Sequence, residues 1–136
     1  MIQHKILCEK DYAYIEVRGR PPLAEFLGAA RLFANDPNYS AGLDRICDFS
    51  QANLSHITLD DLMKFAQFAK EKIKLLPNTK CAIVAPDAQR SGIFKGFASQ
   101  INTGNFQTFT NPVDAVEWIT EEVELEYFDK ILSGVA

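Results

Sequence analysis

Between Cys47 and Thr58 the chain carries a thiol, a carboxylate at Asp48, hydroxyls at Ser50, Ser55 and Thr58, and an imidazole at His56. These types can be drawn as a Cys-His-Asp relay, with the imidazole taking the thiol proton and the carboxylate orienting the ring. A nucleophilic thiol, however, needs an exposed and electropositive setting. Cys47 lies inside the run Leu43-Asp44-Arg45-Ile46-Cys47-Asp48-Phe49-Ser50, which reads as a buried strand, so the relay is not expected. Asp48 and Ser50 have two readings: a ligand site at a strand end, or local turns to backbone N–H groups, which is the commoner use. The histidines are His4 and His56, and Cys8, Cys47 and Cys81 are far apart with no Cys-x-x-Cys pair. No metal site, cofactor or catalytic residue is therefore expected.

Two sets of elements must position whatever these groups do. The first is the strand from Leu43 and the helix opening at Thr58, where Thr58 and Asp61 have the spacing of a capping box. Leu59, Leu62, Ala66, Ala69, Ile73 and Leu76 then form one helical face, closed by Pro77. Phe65 and Phe68 fall off that stripe among Lys64, Lys70, Lys72 and Lys74. They are either further core or a surface for a partner or a second copy of this chain. The second set is the apolar strand Lys80–Ala85 and a helix capped by Asp87 that buries Phe94, Phe97, Ala98 and Ile101. Gly92 and Gly96 allow that helix either a close approach to the sheet or a groove, and Arg90 and Lys95 stand near enough in sequence to hold an anionic headgroup.

The remaining chain supplies a frame. Ile2–Glu9 and Tyr12–Arg18, joined at Lys10-Asp11, alternate as a hairpin, with Ala13, Ile15 and Val17 on one face. Gly19-Arg20-Pro21-Pro22 breaks the strand, and a helix follows with Leu23, Phe26, Leu27, Ala30, Phe33 and Ala34 facing the core. Phe106–Thr110 is a short strand, and Asn111-Pro112 opens a helix carrying Val113, Val116 and Ile119. The order β-β-α-β-α-β-α-β-α predicts an α/β fold with a single-layer, mixed but mostly parallel five-stranded sheet flanked by helices. One domain over residues 1–136 is expected, with 120–136 an acidic amphipathic helical tail.

At 136 residues the chain can bury about two thirds of its unfolded surface without disulfides or metals. A net charge of -4 and a pI near 5.1 offer no basic field for a phosphate backbone, so nucleic acid is not an expected partner. No apolar run reaches the ~18 residues of a membrane span, and the expected location is cytoplasmic, with reduced thiols.

The strand ending Asp48-Phe49-Ser50, the capped helix from Thr58, Ala82-Ile83-Val84-Ala85, and Phe109-Thr110-Asn111-Pro112-Val113-Asp114-Ala115-Val116-Glu117-Trp118-Ile119 together resemble the SpoIIAA-like proteins. These are related to the STAS domains of sulphate transporters and anti-sigma-factor antagonists, and are sometimes grouped with lipid-carrying CRAL-TRIO-like domains. The resemblance runs from Ile6 to Ile119. Antagonists of that group carry a phosphorylatable serine in an Asp-Ser-Ser-Gly-like element at the start of the helix after this strand. Here the loop reads Ser55-His56-Ile57-Thr58-Leu59, without the paired hydroxyls or the glycine, and Ser55 and Thr58 are the nearest hydroxyls by position.

The resemblance implies a regulatory module that binds a protein partner through the 50–58 loop and the next helix, using Asp48, Ser50, Ser55, Thr58, Asp61, Lys64 and Phe68. The alternative is a carrier or sensor of a small apolar or anionic-amphipathic, lipid-like ligand. Its pocket would involve Cys81, Arg90, Phe94 and Phe97.

Overall fold

The computed structural model describes residues 1–85, 87–101 and 104–120, apart from the side chains at 88–91, 93, 98 and 100. The expected acidic tail, beyond Thr120, lies outside the described residues. The hairpin forms as β1 (Ile2–Leu7) and β2 (Tyr12–Gly19), turning through Asp11 at φ 57. There follow α1 (Leu23–Ala34), β3 (Asp44–Ala52), α2 (Leu59–Lys72), β4 (Lys80–Val84), α3 (Ala88–Ile101) and β5 (Asn105–Phe109). A last helix, α4, covers 112–120.

The strands lie in the order β1-β2-β3-β4-β5, with β1 antiparallel to β2 and the other three pairs parallel. Each crossover moves one strand in the same direction. Right-handed connections of that kind place α1, α2 and α3 on one face of the sheet. The period-two rule then sorts the strand residues: Ala13, Ile15, Val17, Arg45, Cys47, Phe49, Cys81 and Ile83 share the three-helix face. Tyr12, Tyr14, Ile46, Asp48, Lys80, Ala82 and Val84 share the other, where α4 packs with Ala115 and Ile119.

Local chemistry sets the helix ends. Pro22 is the N-cap of α1, and Asn35 closes it. At α2 the Asp61 N–H donates to Thr58 Oγ1 and the Thr58 N–H donates to the Asp61 carboxylate, both at 3.1 Å, so the capping box is formed. The Asp114 N–H donates to Asn111 Oδ1 at the start of α4.

Three details differ from the sequence expectation. The buried stripe of α2 is Leu62, Phe65, Ala66, Ala69 and Ile73, leaving Leu59 69 % exposed. Phe65 obeys the same i+3/i+4 spacing as the expected residues, so two overlapping stripes were readable and packing chose between them. The helix also ends at Lys72, before Pro77, because Lys74 takes a left-handed φ of 53, which leaves Leu76 exposed. On α4, Ala115 is buried where Val113 was expected, and Val113 faces solvent. Ala98 lies outside the described side chains.

Candidate functional site

The helices of the three-helix face pack on the sheet through contacts such as Phe94 on Phe49, but they do not fill all the space above it. Between them lies an apolar cavity of about 500 Å³. That is within the range of roughly 300–1,000 Å³ usual for small-molecule sites. Its floor is Ile15, Val17, Arg45, Cys47, Phe49, Cys81 and Ile83, and its roof comes from Phe26 and Phe33 of α1, Leu62 and Phe65 of α2, and Phe94 and Phe97 of α3.

The roof is built of rings. Phe65 stands edge-on to Phe26, with centroids 6.0 Å apart, and lies 5.3 Å from Phe97, which reaches Phe106 of β5 at 6.2 Å. This row links three helices to the edge of the sheet, while Phe94 stacks on Phe49 at 4.1 Å and anchors α3 to the floor. Large, rigid rings thus border the space on both sides. Cys47 sits on the central strand beneath three helices and is still partly accessible.

The thiols in the floor are chemically quiet. Burial pushes Cys47 up to about 11 and Cys81 up to about 12, more than the nearby Arg45 charge lowers either. Both are neutral near pH 7. Asp48 lies on the opposite face of the sheet from Cys47, and the His56 Nε2–H donates to the Pro21 carbonyl at 2.6 Å, leaving the buried Nδ1 without a partner among the described residues. Cysteine, histidine and aspartate are not assembled into a relay. Among the described residues no cluster of three or more His, Cys, Asp or Glu side chains could hold a metal ion.

The residues expected to meet at the partner-binding loop are divided by the sheet. Asp48 is buried on the α4 face, where its Oδ2 accepts from the Tyr14 hydroxyl at 2.5 Å and its Oδ1 from the Ser50 N–H at 2.9 Å. Burial acts to raise its pKa. The bonds from Tyr14 and Ser50 and the Arg18 charge outweigh this and hold the carboxyl below the usual range. Burial, then the bond to Asp48, raises Tyr14. The Asp48 bridge closes a bulge in β3, where the register shifts between Glu16 and Arg18. Asp48 and Ser50 thus serve local backbone geometry.

Ser55, Thr58 and Lys64 are exposed on the loop and α2, and Lys64 pairs with Asp60 at 2.9 Å. Phe68 is half-buried beneath the Arg31 guanidinium, 5.3 Å from its ring centroid. Phe65, expected away from the stripe, lines the cavity. Cys81, Phe94 and Phe97, expected around an apolar pocket, line this cavity together. The Arg90 side chain lies outside the described residues, and Lys95 is exposed. Gly92 and Gly96 are exposed with open space where a Cβ would stand, so neither serves a close approach to the sheet or a groove.

Sequence reasoning missed Arg45, Phe26 and Phe33 as wall residues. For Arg45 the signal was parity: it alternates with Leu43, Cys47 and Phe49 in a strand whose same-side neighbours are apolar.

A search of solved structures finds a similar fold in an uncharacterized protein of the DUF3478 family from Shewanella loihica PV-4, described as having a SpoIIAA-like fold. The TM-score is 0.57 over 88 % of this chain and 92 % of that one, at 15 % sequence identity. The fold here is SpoIIAA-like. At that identity the likeness concerns architecture. No family model and no curated protein matches the sequence. No helix among the described residues is long and apolar enough to cross a membrane.

Proposed function

We propose that the chain is a non-catalytic carrier or sensor of a small apolar ligand, held between the sheet and α1–α3. The observation that carries this is the cavity of about 500 Å³ with apolar walls. Left dry, walls of that extent would forgo contacts that are costly to lose in a core. Filled with water, its apolar walls would return few hydrogen bonds. An apolar occupant removes both difficulties. Native mass spectrometry of the protein purified from its own cells tests this. A non-covalent adduct lost on denaturation, and absent from a Cys47→Phe protein whose ring fills the floor, is expected. A bare polypeptide that also fails to bind N-phenyl-1-naphthylamine would overturn the reading.

A second reading, as a protein-interaction module acting through the 50–58 loop and α2, is supported by exposed Leu59 and Met63 beside Lys64. On this reading Ser55, Thr58, Asp61, Lys64 and Phe68 contribute from the loop and helix, while Asp48 and Ser50 shape the strand end. Affinity capture from the protein's own cells with Met63→Asp and Lys64→Glu is expected to lose the partner. Unchanged capture removes this surface.

A further inference from the structure

Arg45 is 5 % exposed and lines the apolar cavity. Its Nε and Nη2 both donate to one carbonyl, Leu43 O, at 3.2 and 2.9 Å. Its guanidinium lies 5.1 Å from the Phe33 centroid and 5.9 Å from that of Tyr39. Among the described residues no carboxylate pairs with it. A guanidinium keeps its charge at any physiological pH. One carbonyl and two ring faces are poor compensation for taking that charge out of water.

Asp36 and Asp44 each hold a hydrogen bond to another group: Asp36 accepts from His4 and from the Asn38 N–H, and Asp44 accepts from the Lys80 N–H. Asp61 also lines the cavity, but it belongs to the capping box that follows the far end of β3. The thiols of Cys47 and Cys81 are neutral. The cavity therefore has an apolar body and, near the start of β3, a cation that no carboxylate of the described residues pairs with.

Resting on the ligand-binding reading above, we infer that the occupant is a single-chain amphiphile with a carboxylate head. Its tail lies along the phenylalanine roof and its head pairs with Arg45. The guanidinium fork matches a carboxylate in shape and in charge, one to one. A phosphate monoester would bring about -1.5 to -2 against this single cation, leaving net negative charge among apolar walls.

The test uses the full chain, stripped of bound lipid, with its fold checked by circular dichroism. It is titrated calorimetrically with dodecanoate, dodecanol, dodecylamine and dodecyl phosphate, all below their aggregation limits. Dodecanoate is expected to bind at least tenfold tighter than the alcohol or the amine, and Arg45→Met to lose that preference while still binding the alcohol. Equal affinity for acid and alcohol in the wild type would overturn the inference and leave the cavity reading standing. So would a preference that survives Arg45→Met, or dodecyl phosphate binding tenfold tighter than dodecanoate. Failure of all four to bind would instead sink the cavity reading itself. Should Arg45→Met not fold, the wild-type series decides alone.

Discussion

The sheet buries one cation on each face, and the two are held differently. Lys80, 6 % exposed on the α4 face, donates from Nζ to the Trp118 carbonyl at 2.9 Å and sits 5.2 Å from the indole centroid. Around it Ile46, Ala82, Val84 and Ala115 have no accessible surface. Arg45 on the three-helix face lies beside open space. Small residues explain the first arrangement: Ala82 and Ala115, both fully buried, let α4 come down on the strands. On the second face, the row of rings from Phe26 to Phe106 borders the cavity. A close-packed face gives the sheet its stability, and a face with a cavity gives it room.

The contrast would collapse if both faces responded alike to changes in volume. The largest effect is expected at Ile46→Ala, about 2–5 kcal/mol lost in urea denaturation because nothing there can fill the gap. Ile15→Ala, which only enlarges an existing cavity, should cost clearly less. Additions give the converse test. Ala82→Leu overpacks the α4 face and should lose about 1–3 kcal/mol, whereas Cys47→Leu should be neutral or stabilising, since its new atoms enter open space. Equal losses from these last two would mean that the space beneath the helices is already filled.

Acid should separate the faces as well. The Asp48 carboxyl ionises below the usual range when folded, so its contribution is complete above the unfolded value of about 3.9 and is lost as pH falls through the folded one. Tyr14→Phe removes a hydrogen bond to that carboxylate and should cost about 1.5 kcal/mol at neutral pH. The deficit should shrink as Asp48 becomes protonated. A deficit independent of pH would show that the hydroxyl matters only for packing. Thr58→Ala should have the smallest effect, about 1 kcal/mol from loss of the cap, measured as a small drop in Tm. Because the cap is exposed and away from the cavity floor, ligand binding should be unchanged. A large change in binding would tie the 50–58 loop to the cavity and sharpen the second functional reading.

Much of the architecture was legible from local rules. Alternation marked the hairpin, the Thr58 and Asp61 spacing marked the start of α2, and Asn111 marked the start of α4. Reading Asp48 and Ser50 as a turn also agrees with the bulge they close. The place of Phe65, left open between core and surface, was decided at a different level. On α2 it belongs to one of two apolar stripes separated by a small rotation, and no spacing rule within the helix chooses between them. Its partners Phe26 and Phe97 are far away in the chain.

The sequence by itself determined the order of strands and helices, the caps, the parity of each strand and the position of Arg45 among apolar neighbours. These depend on contacts within a few residues and on periods of two and 3.6. Only the tertiary structure decided that the three-helix face keeps a cavity, and that Arg45 lines it. The standoff between a helix and a sheet is set by the sizes of side chains that meet from distant segments, and that sum is not written in any one of them.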